Sequence, residues 1–231
     1  MSFSLFKVFH HILFAEIKYH LRHKQDIFTL CLFFLSIFFL LHFTFDGEQA
    51  HSVFLNCQYI WISLFFSFFI AQEKFLEPEF QKKLFDHLLL SPLQLEIFFI
   101  AKIIGFWCGR LVWLIAFSAL LLIATQVAIK TIAWILVTLA LGSLNFLLIG
   151  TLAITLTRTN IASTSLFALI VFPFYLPTYI FGILTVNAHL QSDQLEISPW
   201  PYFQFEIGLC LLYFAIVPFL SAKLIKFRTE E

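Results

Sequence analysis

Six apolar runs, each long enough to cross a bilayer, follow one another through this 231-residue chain, and its cations gather on alternate breaks between them. A span takes about 20 predominantly apolar residues. The runs cover residues 27–45, 52–71, 103–123, 131–156, 161–186 and 205–224. Backbone polar groups in lipid must find partners within their own segment, so each run is expected to be a helix. The period-two alternation of a membrane barrel is absent. The sequence therefore predicts an all-α membrane protein, one membrane domain over 1–231, with six transmembrane helices.

Lys7, Lys18, Arg22 and Lys24 precede the first run, and Lys74, Lys82, Lys83 and Lys102 lie between the second and third. Arg158 follows the fourth run, and Lys223, Lys226 and Arg228 mark the tail. Twelve of the 14 Lys and Arg thus fall on one side; Lys130 lies on the other and Arg110 inside the third run. Cations are retained on the cytoplasmic side during insertion, so both termini are expected there, in a bacterial inner membrane. With 61% hydrophobic and 12% charged residues, the chain departs from a soluble domain, which has about 45–50% and about 25%. A net charge of zero argues against a nucleic-acid partner.

Residues 1–26 form a lead-in of a different kind. Leu5, Phe9, Ile12, Leu13 and Ile17 recur at helical spacing, with Lys7, His11, Lys18 and Arg22 on another face. This predicts an interfacial amphipathic helix drawn to anionic lipid of the bilayer. No secretory leader is expected, because the first spanning run begins only near Ile27.

The break at 72–102 is the richest stretch. Phe80, Leu84, Phe85 and Leu88 fall at helical spacing, Pro78 suits a first turn, and Pro92 should end the helix at or before Ser91. The pattern predicts a short helix lying flat on the cytoplasmic surface with polar residues turned toward the cell, a geometry suited to docking a soluble partner.

Chemistry of its own is not evident. The chain has no phosphate loop of the G-x-x-x-x-G-K-[ST] type, no H-E-x-x-H helix and no G-x-S-x-G elbow. It is therefore not expected to be an enzyme or to hydrolyse ATP alone. Cys31, Cys57, Cys108 and Cys210 all lie in apolar runs, without metal spacing. His10, His11, His20 and His23 belong to the basic lead-in, where a solvated face is the default; no histidine pair makes a ligand set, and no metal or cofactor is assigned to the chain. Arg110, about seven residues or roughly 10 Å into its run, either snorkels to the headgroups or faces the bundle interior. Glu206 reads as interfacial. Pro173 and Pro177 should kink or break the fifth span, as a hinge or cavity wall, and Pro218 adds a bend near the end of the sixth. Gly105, Gly109, Gly142 and Gly150 suit close helix approach.

Several residues, in order and spacing, then point to a family. They are Glu73-Lys74-Phe75, Leu88-Leu89-Leu90-Ser91-Pro92-Leu93, Ala101-Lys102 and Trp107, with Glu16 and Arg22 in the lead-in. Gly142, Gly150, Arg158, Pro173-x-x-x-Pro177 and Pro218-Phe219 complete them. Over nearly its whole length the chain resembles the CcmB family, the membrane subunit of the cytochrome c maturation ABC transporter. Lys83, Asp86 and Gln94 depart from the family's usual Gly, Glu and nearby Pro. The resemblance implies an ABC-2 exporter-like fold and a separate CcmA-like ATPase that binds the ATP. It also implies CcmC-like and CcmD-like membrane partners, and haem delivered in the complex to a periplasmic chaperone. It makes 72–102 a coupling loop, with Glu73, Lys74, Phe80, Leu84, Asp86 and Leu88 as candidate coupling residues and the prolines as hinges. A second copy of the chain is a further expected partner. The competing readings are an ABC-2 permease for another cargo and a non-transporting scaffold for the ATPase.

Overall fold

The computed structural model describes residues 5–44, 53–73, 75–81, 84–90, 94–125, 127–159, 164–195 and 198–229. Within them the regular elements are helices. The lead-in forms α1 (Leu5–Arg22), which passes through His23 into α2 (Lys24–Thr44), the first span. The second span is α3 (Val53–Glu73), and the loop after it holds two short helices, α4 (Glu77–Gln81) and α5 (Leu84–Leu89). The third span is built in pieces: α6 (Leu95–Phe106), a π-helical turn (Trp107–Leu111) and α7 (Val112–Ala124). The remaining spans are α8 (Ile129–Thr159), α9 (Thr164–Leu195) and α10 (Trp200–Thr229). Six helices or helix pairs have the length and hydropathy to cross a membrane.

Several helices outrun the apolar runs that announce them. The third span begins at Leu95 rather than 103, α9 continues to Leu195, and α10 starts at Trp200. The stretch 187–204 between the fifth and sixth apolar runs is thus mostly helix. The expected break at Pro173 and Pro177 does not occur, because α9 is continuous through both, as α10 is through Pro218. An interior proline deletes one rung of the ladder, and the long helical segments on either side keep the helix continuous across the gap.

The largest inter-helix contacts in the bundle join α8 to α9 and α10, and α8 also meets α3 and α7. Close approach at its glycines explains its place. The ring of Trp61 on α3 fills the space where a Cβ at Gly142 or at Gly182 of α9 would stand, and the Gln72 side chain does the same at Gly150. Gln72 Nε2 donates to the carbonyls of Phe146 (3.3 Å) and Leu147 (3.4 Å), and the Tyr175 hydroxyl donates to Phe146 O at 2.8 Å. Two side chains thus share one α8 carbonyl. Phe65, Phe68, Phe146 and Tyr175 pack edge to face around this seam, a geometry that adds to plain area burial.

Candidate functional site: an ion cluster beneath the loop

α1 does not lie alone in a headgroup layer. It packs along α6 and the π turn, and two glycines one turn apart on the third span make that possible. A Cβ at Gly105 would stand 2.8 Å from Glu16 Cβ, and one at Gly109 would stand 3.3 Å from Ile17 Cα. Phe9, Ile12, Leu13 and Ile17 are half-buried on the contact face, while Lys7, His11, Lys18 and Arg22 remain exposed.

The close approach places Glu16 against Lys102. Lys102 Nζ donates to Glu16 Oε1 at 2.6 Å and to Glu79 Oε1 at 2.7 Å. Its side chain is only 2% exposed, and the ammonium sits 5.4 Å from the Phe75 ring centroid. His20, also buried, places Nε2 3.1 Å from Glu16 Oε1. One cation therefore gathers three stretches of chain: the lead-in helix, the loop helix α4 and the start of the third span. Burial raises the Glu16 carboxyl, but the His20 hydrogen bond and the Lys102 charge outweigh it and hold it below its ordinary 4.5. Ionised carboxylates on a buried ammonium form short, charge-assisted bonds, and the ammonium has two of them while Glu79 Oε2 has no partner among the described residues. A proton on His20 would bring the four groups to zero net charge.

The predicted loop residues take different places. Phe80 is half-buried and meets the Phe85 ring at 5.1 Å, and Phe85 in turn packs on Phe98 and Phe99 of α6. Leu84 and Leu88 are half-buried on α5, and Leu88 packs on the core. The apolar stripe thus seats part of the loop on the bundle. Glu79, expected on the polar side toward the cell, turns inward to Lys102, because a buried ammonium needs a counter-charge. Glu73 closes α3 and Asp86 lies in α5; Lys74, Ser91 and Pro92 lie outside the described residues. Leu90, after α5, is 88% exposed.

Arg110 faces the interior and does not snorkel. It lies in the π turn, 2% exposed, with its guanidinium carbon 5.5 Å from the Phe106 ring centroid. Asp26 and Tyr19 lie within electrostatic reach. Pro173 is exposed, Pro177 half-buried and Pro218 buried, all remote in the chain from this cluster.

Sequence reasoning missed His20 and Glu79 as interior groups and read Lys102 as a topology marker and part of a family motif, not as an ion-pair partner. A signal was available: Glu16 is the single acid between residues 3 and 24, amid four cations. A lone carboxylate on a basic helix calls for a specific partner.

A model of the CcmB protein family matches residues 7–228. The chain belongs to the CcmB family. The haem exporter protein B of Pseudomonas aeruginosa is 23% identical over 185 residues, which is 80% of this chain and 83% of that protein. The protein of the same name from Rhodobacter capsulatus is 23% identical over 167 residues, 72% of this chain and 75% of that one. Residues that carried the CcmB resemblance prove to be contact points. Glu16 and Lys102 form the ion pair, and Trp107 Nε1 donates to Ser143 Oγ at 2.8 Å. Gly142 and Gly150 receive Trp61 and Gln72.

Proposed function

We propose that this chain is the membrane subunit of an ATP-driven haem exporter acting in cytochrome c maturation. It is not itself an enzyme. A CcmA-like ATPase docks on the face that carries α4 and α5, and CcmC-like and CcmD-like subunits complete the assembly. The twelve segregated cations set that face, α1 and both termini toward the cytoplasm. Haem is then handed on at the opposite side.

The observation that carries the reading is the Lys102 cluster, taken with family membership. A surface loop that merely connected two spans would need no buried ion pair. Here Glu79 fastens the loop to the third span, and Glu16 fastens the same point to α1. A push on α4 and α5 is delivered to Lys102 and, through α6, into the bundle. Such a joint suits a two-state element biased by a partner's nucleotide state.

The test replaces the cluster as a unit: Glu16→Gln, Glu79→Gln and Lys102→Met together leave no stranded charge, a change that is often tolerated in buried pairs. In native membranes the triple variant should still copurify with the ATPase and haem-handling subunits, while cytochrome c maturation falls steeply. Normal maturation would sink the coupling role. Recovery of an ATPase without haem-handling proteins from the wild type would move the reading to a permease for another cargo.

A further inference from the structure

Glu206 lies seven residues into α10, about 9 Å along the helix from Trp200. Sequence reading put it at the membrane interface, but its side chain is wholly buried. Among the described residues neither carboxyl oxygen has a hydrogen-bond partner. It stands against α8, where a Cβ at Gly142 would lie 3.3 Å from Glu206 Oε1 and where the Trp61 ring also presses. Asn145, one turn along α8, donates its Nδ2 to the Glu206 backbone carbonyl at 3.3 Å. Asn145 Oδ1 and Trp61 Nε1 are buried without partners as well. Trp134, Trp200 and Phe203 pack edge to face near the starts of α8 and α10.

No cation compensates a charge here. By sequence the acids, bases and histidine of the packed helices other than Glu206 lie toward their ends: Glu73 on α3, Lys130 and Arg158 on α8, His189 and Asp193 on α9, Lys223, Lys226 and Arg228 on α10; the other titratable side chains of α3 and α9 are the thiol of Cys57 and the phenols of Tyr59, Tyr175 and Tyr179. Cys210, one turn further along α10, is the nearest titratable neighbour on its own helix. A bare carboxylate in such a place is strongly disfavoured, whereas a neutral acid is admitted.

We propose that Glu206 is an intramembrane proton-binding site, which holds a proton while α3, α8 and α10 are packed as seen here and releases it when the aromatic layer parts and water reaches the carboxyl. The site does not depend on the identity of the cargo. It makes opening of this end of the bundle sensitive to pH: alkaline conditions favour the open packing.

The experiment uses the full-length chain in lipid nanodiscs. Infrared difference spectra at pH 7 should contain a protonated-carboxyl carbonyl band that Glu206→Gln removes and Glu96→Gln leaves in place. Raising the pH should abolish the band and increase thiol labelling of Cys210, read by mass spectrometry, several-fold in the wild type. In Glu206→Gln, labelling should rise only as far as ionisation of the thiol itself carries it, several-fold less than in the wild type. Should that variant not fold, Glu206→Asp serves, shifting the band instead of removing it. Absence of the band at pH 7, or an equal rise of Cys210 labelling in Glu206→Gln, would overturn the proposal.

Discussion

Lys102 and Glu206 are both ionisable side chains taken out of water, yet their surroundings are opposite. Lys102 meets two carboxylates within 2.7 Å and an aromatic face, so the chain has supplied its counter-charges from segments 86 and 23 residues away. Glu206 meets a tryptophan ring, a glycine and an amide, and its oxygens are left without donors among the described residues. Glu79 Oε2 is also buried without a partner among the described residues, so the contrast lies in the counter-charge: a buried charge that has one holds elements in one arrangement, whereas a buried acid without one favours change. The difference separates a joint from a switch within one bundle.

The strongest way to break the contrast is to make the joint resemble the switch. Lys102→Met alone strands Glu16 and Glu79 and should cost about 3–5 kcal/mol. The expected outcome is loss of the purified chain's thermal transition in detergent, or its fall by many degrees. The neutral triple variant should recover most of that loss; if it does not, the pairing is not what fails.

Gly142→Ala tests the seam beside Glu206. The added methyl meets the ring of Trp61, which is itself held against Gly182 and cannot retreat. Overpacking of this kind costs about 1–3 kcal/mol, visible as a lower melting temperature and altered tryptophan emission. An unchanged emission spectrum would mean that the ring has room.

Glu206→Met sharpens the comparison from the other side. Removing an unpartnered buried acid at similar volume should leave stability unchanged or raise it by about 1 kcal/mol, the reverse of what Lys102→Met does. A clear loss of stability would show that Glu206 is satisfied after all.

Acid separates the two sites by sign. The Glu16 carboxyl sits below its ordinary 4.5, so its stabilising contribution is present above that value and is lost as pH falls through the lowered one. Melting temperature should drop on acidification below about pH 4.5, and Glu16→Gln should flatten that slope. The smallest effect belongs to Lys226, whose 3.2 Å bond to Glu96 joins α10 to α6 from a half-exposed position. Lys226→Ala should change stability by about 0–1 kcal/mol.

The six spans were legible because hydropathy over about 20 residues is a local property. The helical lead-in and the end of α5 before Pro92 were legible for the same reason. What the sequence withheld is which faces meet. Gly105 and Gly109 announce a close approach, but nothing in their spacing says that the partner is α1 and not another span. The inward turn of Glu79 follows from Lys102, and that pairing is tertiary. Glu206 was read as interfacial because α10 begins several residues before its apolar run, which moves the acid from the rim to the interior. Of the kink or break expected at the prolines of α9, the break is absent, since the long flanking segments keep the helix continuous.

The π turn at Trp107–Leu111 gives the third span one residue more than an ordinary helix of its length would hold. That surplus is slack in the coil. The half fastened to α1 and the half running beside α8 are phased independently, because a wide turn tightening to an ordinary one displaces a single residue without unwinding either side.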